Sequence, residues 1–198
     1  MSAINTFGLV ICGGKSSRMG IDKSRVIYHD KEQRYHVYEM LQPFFQKMIL
    51  CCNDVQASDI QTPYQYLIDK DEFKNIGPMG ALLTAYDAFP GKNFVVVGCD
   101  YPFLTAATLN NFINSIINKN SPAAFYNQES RIYEPLLAYY TAENVAGIKE
   151  LYAAGNYSLQ KFLRQQHAFE FTDFEPSEIK SVDTIEEMNA AQKQFSKP

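Results

Sequence analysis

The chain has 198 residues, 46% hydrophobic and 20% charged, enough to fill one domain that buries about two-thirds to three-quarters of its unfolded surface. A formal net charge of −4 excludes the broad basic face with which sequence-independent nucleic-acid binders displace counterions. No apolar run approaches the ~20 residues of a membrane span, and the opening MSAINTFGLVICGG has no cationic leader segment, so the sequence predicts a cytoplasmic protein without nucleic-acid or membrane partners.

In chain order, the first half alternates short β-branched runs with helical patterns. FGLVIC is a strand, the basic loop up to Lys23 precedes a second β-prone run, VIY, and a helix covers 32–44. MILCC and YQYLI are strands, a helix follows Pro78, and FVVVGC is the next strand. Strands apolar throughout belong in a sheet covered on both faces, and their alternation with helices demands right-handed crossovers. The fold class is therefore α/β, a three-layer α/β/α arrangement around a mainly parallel, Rossmann-like sheet. The second half is less regular: PAAFY, EPLLAYY and AFEFT as strands, helices over 142–154 and 159–166, and a last helix from Thr184. No proline, glycine or serine cluster is long enough to be a linker, so 1–198 is one domain.

Cys12, Cys51, Cys52 and Cys99 fall in or beside valine- and isoleucine-rich runs and read as buried free thiols. Their spacing, with His29, His36 and His167, matches no zinc pattern.

Ligands of an open α/β sheet bind beyond the carboxyl ends of its strands. The first strand ends in CGGKSSRMGIDK. Gly13 and Gly14 offer unshielded N–H groups, and Ser16, Ser17, Arg18 and Lys23 add donors and positive charge, a combination suited to phosphate oxygens. The alternative is a solvated turn; the loop's length and its place after strand one favour the phosphate. It is no Walker A loop, since Leu9 stands where the first glycine belongs, and G-x-G-x-x-G is absent. Asp100, directly after FVVVGC, reads as a magnesium ligand or as a cap for the helix starting near Thr105. Gly77 and Pro78 open a helix with exposed amides, and Gly80 permits either close approach by a ligand or packing against the sheet. Among the acids Asp69, Asp71 and Glu72, one is placed to contact a base or ribose, while such runs otherwise face solvent. These parts describe phosphoryl-group chemistry by positioning, without a covalent protein intermediate.

The run ICGGKSSRMGIDK resembles the L-A-G-G-x-S-x-R-M-G-x-D-K signature of the molybdenum cofactor guanylyltransferases, the MobA family of GT-A type nucleotidyltransferases. CCND, GPMGAL, CDYPFL, EPLLAYY, SLQKFL and VDTIEEM resemble its later motifs in the same order. The resemblance implies the nucleotide-diphospho-sugar transferase fold, a nucleotide-binding half at about 6–105 and an acceptor-binding half at about 106–198. It implies transfer of GMP from GTP to molybdopterin with release of pyrophosphate. Its implied roles are Ile11, Cys12 and Gly13 at guanine, Lys23 on phosphate, Asn53 on the nucleotide and Asp100 on Mg²⁺; by its charge Arg18 joins Lys23 on the triphosphate. The family's acid before G-P-L is Asp71 if the spacing to Gly77 is kept, which we prefer, or Asp69 if its position after the strand is kept. Molybdenum-insertion and cofactor-chaperone proteins are implied partners. Cys12 in place of alanine, Met79 and Ala81 within G-P-L-x-G, Tyr101 in place of methionine and Asp183 in place of asparagine depart from the pattern. A cytidylyltransferase, a sugar- or polyol-phosphate nucleotidyltransferase and a non-catalytic GTP-binding module are the alternatives.

Overall fold

The computed structural model of the chain describes residues 5–12, 20–117 and 119–196. Strands β1 (Thr6–Ile11), β2 (Met48–Cys52), β3 (Tyr66–Ile68), β4 (Asn93–Gly98), β5 (Ala123–Asn127), β6 (Ile132–Tyr140) and β7 (Phe169–Phe171) form one sheet in the order β3-β2-β1-β4-β6-β5-β7. Every neighbouring pair is parallel except those of β6, which runs against both β4 and β5. The sequence explains the reversal. The turn between β5 and β6 is too short for a parallel crossover, and Asn127 closes it by accepting the N–H groups of Glu129 and Ser130 at 3.0 Å.

The period-two alternation of the strands feeds two cores. On one face Val10, Leu50, Val95 and Val97 pack against Tyr35, Val37 and Leu41 of α1 (Gln33–Leu41) and Leu109 and Phe112 of α4 (Ala106–Ile116). On the other, Leu9, Ile49, Phe94 and Val96 meet α3 (Pro78–Ala88), α5 (Asn144–Ala153) and α6 (Leu159–Gln165). Each fully buried valine, leucine or phenylalanine contributes about 1.5–3 kcal/mol. A third cluster of Val26, Tyr28, Val182 and Ala191 ties the last helix, α7 (Ile185–Phe195), to the segment after the first loop.

The helix expected over 32–44 stops at Leu41 and tightens into a 3-10 turn, because Pro43 has no N–H to continue the ladder. The expected VIY strand is reduced to a single bridge, Ile27 to Glu32, since Lys23–Arg25 form a 3-10 turn capped by Asp22. The strand expected at YQYLI is shortened to its last three residues, Tyr64 instead stacking its ring on Tyr35. All four cysteines are buried free thiols. Among the described residues no helix is long and apolar enough to cross a membrane.

Candidate active site

Because β1 to β4 are mutually parallel, their carboxyl ends open on one edge and deliver Cys12, Asn53, Asp69 and Asp100 there. Beside them lies a cleft of about 790 Å³, lined among others by Ile11, Cys51, Asn53, Asp69, Gly77 and Pro78. Gly77 makes its wall with φ 68° and ψ −151°, a backbone region essentially restricted to glycine, and Pro78 starts α3 immediately after it. Asn53 caps the short helix α2 (Asp54–Ala57), its Oδ1 accepting the Gln56 N–H at 2.9 Å. Its Nδ2 donor has no partner among the described residues.

The two acids left open by the sequence part company. Asp69 is held by its backbone, its N–H donating to the Cys52 carbonyl at 3.1 Å, and its Oδ1 is buried without a hydrogen-bond partner. Burial pushes its carboxyl up to about 6, with Lys74 opposing and Asp54 adding to the rise. Asp71 begins the following 3-10 turn with its side chain 94% exposed, pairs with Lys74 at 2.7 Å and does not line the cleft. The spacing argument that favoured Asp71 thus leads to a solvated ion pair, because the turn after β3 carries the chain outward. Gly80 also departs from a ligand contact: a Cβ there would overlap the carbonyl oxygen of Phe73, so the glycine serves packing, and Ala81 reaches the cleft in its place. Cys12 is 2% exposed, its side chain in the core.

Lys23 sits between two carboxylates, its Nζ 2.5 Å from Asp183 Oδ1 and 3.5 Å from Asp100 Oδ1. Asp183 arrives because the Val182 N–H donates to the Asp100 carbonyl at 3.1 Å, laying the two segments side by side. Burial holds the Asp100 carboxyl above its ordinary value, Lys23 pulls it down and Asp183 pushes it up again. Asp100 is not a helix cap: Thr105 caps α4, accepting the Thr108 N–H at 3.2 Å. Among the described residues no three His, Cys, Asp or Glu side chains cluster as a metal cage. Two hard carboxylates on one edge nevertheless fit magnesium, which takes one or two protein oxygens and completes its shell from water and phosphate.

Asp22, Gln56 and Glu134 escaped the sequence reading as site residues. Asp22 caps the 3-10 turn through the Ser24 N–H, and Gln56 reaches its carboxylate from α2. The Tyr101 hydroxyl donates to Glu134 at 2.9 Å, and burial raises the Glu134 carboxyl. The pairing partners lie 34 and 33 positions apart in the chain, and only the hairpin return of β6 and the crossover to α2 bring them together. Gly13, Gly14 and Arg18 lie outside the described residues.

Residues 8–169 match the family model described as MobA-like NTP transferase domain. The chain is 25% identical over 194 residues to a probable molybdenum cofactor guanylyltransferase of Flavobacterium johnsoniae, covering 96% of this chain and 98% of that one. It is 28% identical over 138 residues to a molybdenum cofactor biosynthesis bifunctional protein of Synechocystis, covering 68% of this chain but only 39% of that longer protein. The molybdopterin-guanine dinucleotide biosynthesis protein A of Archaeoglobus fulgidus superposes with a TM-score of 0.79 at 22% identity, over 97% of this chain and 100% of that one.

Proposed function

Because this chain belongs to the MobA-like NTP transferase family and is a nucleotidyltransferase, we propose that it transfers GMP from GTP to molybdopterin. The observation that carries the choice of base is the Asp69 carboxylate, which lines the cleft and has one oxygen, Oδ1, without a hydrogen-bond partner among the described residues. Guanine presents an N1–H and a 2-amino group side by side, two donors that a carboxylate accepts, whereas cytosine and adenine present no such pair. A base paired with this carboxylate supplies a partner that it lacks among the described residues, and an unmet buried acceptor costs about 1–3 kcal/mol.

In this reading Ile11 and Pro78 cover the faces of the base, and Asn53 donates to the nucleotide through Nδ2. Lys23 places positive charge on the triphosphate, where preorganised charge lowers the barrier as charge shifts to the leaving group. Asp100, with Asp183 beside it, would hold a magnesium ion, which when bound neutralises the phosphates. A terminal phosphate oxygen of the acceptor attacks the α-phosphorus of GTP. The new P–O bond forms as the α–β anhydride breaks, and its electron pair leaves with pyrophosphate. Nothing on the protein is covalently modified; the chain's residues orient the two phosphates and exclude misaligned encounters.

Isothermal titration with GTP, CTP and ATP, each with and without Mg²⁺, tests the reading. Preferential, metal-enhanced binding of GTP is expected. Preference for CTP would move the protein to cytidylyl transfer, and GTP binding without turnover on molybdopterin would make it a binding module. Asp100→Ala is expected to abolish transfer with the far-ultraviolet circular dichroism unchanged.

A further inference from the structure

Gln56 is 3% exposed and uses its whole side-chain amide. Its Oε1 accepts the Asn53 N–H at 3.1 Å, while Nε2 donates to both carboxylate oxygens of Asp22 at 3.1 Å and approaches the Cys12 carbonyl at 3.4 Å. The orientation of the amide follows from its partners. Turned over, it would set an oxygen against a carboxylate and an NH₂ against an N–H. The backbone N–H of the same residue is taken by Asn53 Oδ1, so the two residues cap one another reciprocally.

A reciprocal cap alone would need only the Oε1 end of the glutamine. The other end does something a cap does not. Cys12 directly follows β1 and Asp22 stands immediately before Lys23, so these residues flank the stretch 13–19 on its two sides. Asp22 is locked further by the Ser24 N–H at 3.0 Å and the Ser24 hydroxyl at 2.7 Å. One buried amide therefore fixes the end of β1, the residue that precedes the phosphate-binding lysine and the asparagine of the cleft in a single frame.

We infer that Gln56 is a positioning residue for nucleotide binding, holding Cys12, Asp22 and Asn53 in register so that the base cleft and Lys23 engage one nucleotide together. The inference rests on the reading of this edge as a nucleotide site and deepens it. A glutamate here would bring a carboxylate against that of Asp22, and a methionine would keep the volume but lose every polar contact.

The experiment measures the affinity of GTP and CTP, with Mg²⁺, for the full chain and for Gln56→Met, Gln56→Glu and the double variant Gln56→Glu with Asp22→Asn. Affinities are taken at a temperature where near-ultraviolet circular dichroism shows each protein folded. The two single Gln56 variants are expected to weaken the preferred nucleotide at least tenfold. The double variant is expected to recover most of the loss of Gln56→Glu, since the amide introduced by Asp22→Asn donates to the new carboxylate. The exchange of donor and acceptor shows that the loss runs through this hydrogen bond, and affinity lost by a protein that near-ultraviolet circular dichroism shows folded separates positioning from stability. Folded Gln56→Met and Gln56→Glu proteins that bind within twofold of the unmodified chain would overturn the inference and leave the nucleotide reading standing. Failure of every Gln56 variant to fold would overturn it too, making the amide a stability element. An unmodified chain that binds neither nucleotide would remove both.

Discussion

Replacing Asp69 by asparagine separates the cost of this carboxylate from its use. In the native protein its carboxyl rises from an ordinary value near 4 to about 6, chiefly through burial. A carboxyl with a raised folded pKa keeps its proton longer in the native state than in the unfolded chain. It therefore costs nothing below about pH 4 and destabilises the fold increasingly as pH climbs to about 6, the cost staying constant above that. Two pKa units correspond to roughly 3 kcal/mol; Asp69 is only partly buried, so solvent screening reduces this to about 1–2 kcal/mol. Asp69→Asn is expected to raise the thermal midpoint by roughly 2–8 °C at pH 8 and to leave it nearly unchanged at pH 4. The same change places an amide against guanine, and GTP affinity should fall about 10- to 100-fold, while a xanthine nucleotide, with a carbonyl in place of the 2-amino group, should be weakened less. Differential scanning fluorimetry across pH and titration with both nucleotides read the two effects. A variant with no stability gain at pH 8 would refute the burial argument, and one that binds GTP as tightly as before would refute the base contact.

Asp183→Asn removes one of the two carboxylates holding Lys23, a partly exposed pair worth about 1 kcal/mol, so GTP affinity measured in chelator should rise about fivefold; an unchanged or weaker affinity would show that Asp183 does not compete with the triphosphate for the lysine. Gly80→Ala should destabilise the protein by roughly 1–3 kcal/mol in urea, because the new methyl meets the Phe73 carbonyl, and a neutral result would mean that the turn before α3 yields freely. Arg34, 1% exposed, pairs with Glu32 at 2.7 Å and Asp59 at 3.1 Å; Arg34→Met should cost about 2–4 kcal/mol, and a stabilised variant would show that the buried guanidinium is not well compensated.

Local pattern carried most of the fold. The all-apolar runs before Cys12, Cys52 and Cys99 announce strands covered on both faces, and their alternation with helices leaves a largely parallel sheet as the consistent arrangement. The edge at which Asn53, Asp69 and Asp100 gather follows from strand direction alone. Chain distance misled where direction had to be known: Asp71 keeps the spacing to Gly77, yet the outward turn after β3 gives it to solvent and Lys74. Gly80 was open between ligand and packing until the carbonyl of Phe73 closed the space above it.

Elements, sheet type and family were legible in the residues themselves, since these depend on periodicity and on short motifs in order. Three features needed the packed chain: which acid keeps a buried oxygen in the cleft, the sharing of Lys23 between Asp183 and Asp100, and the joining of Cys12, Asp22 and Asn53 by Gln56. Each of these depends on burial or on contact between segments distant in the chain, and both are set by how the helices and the returning strand pack.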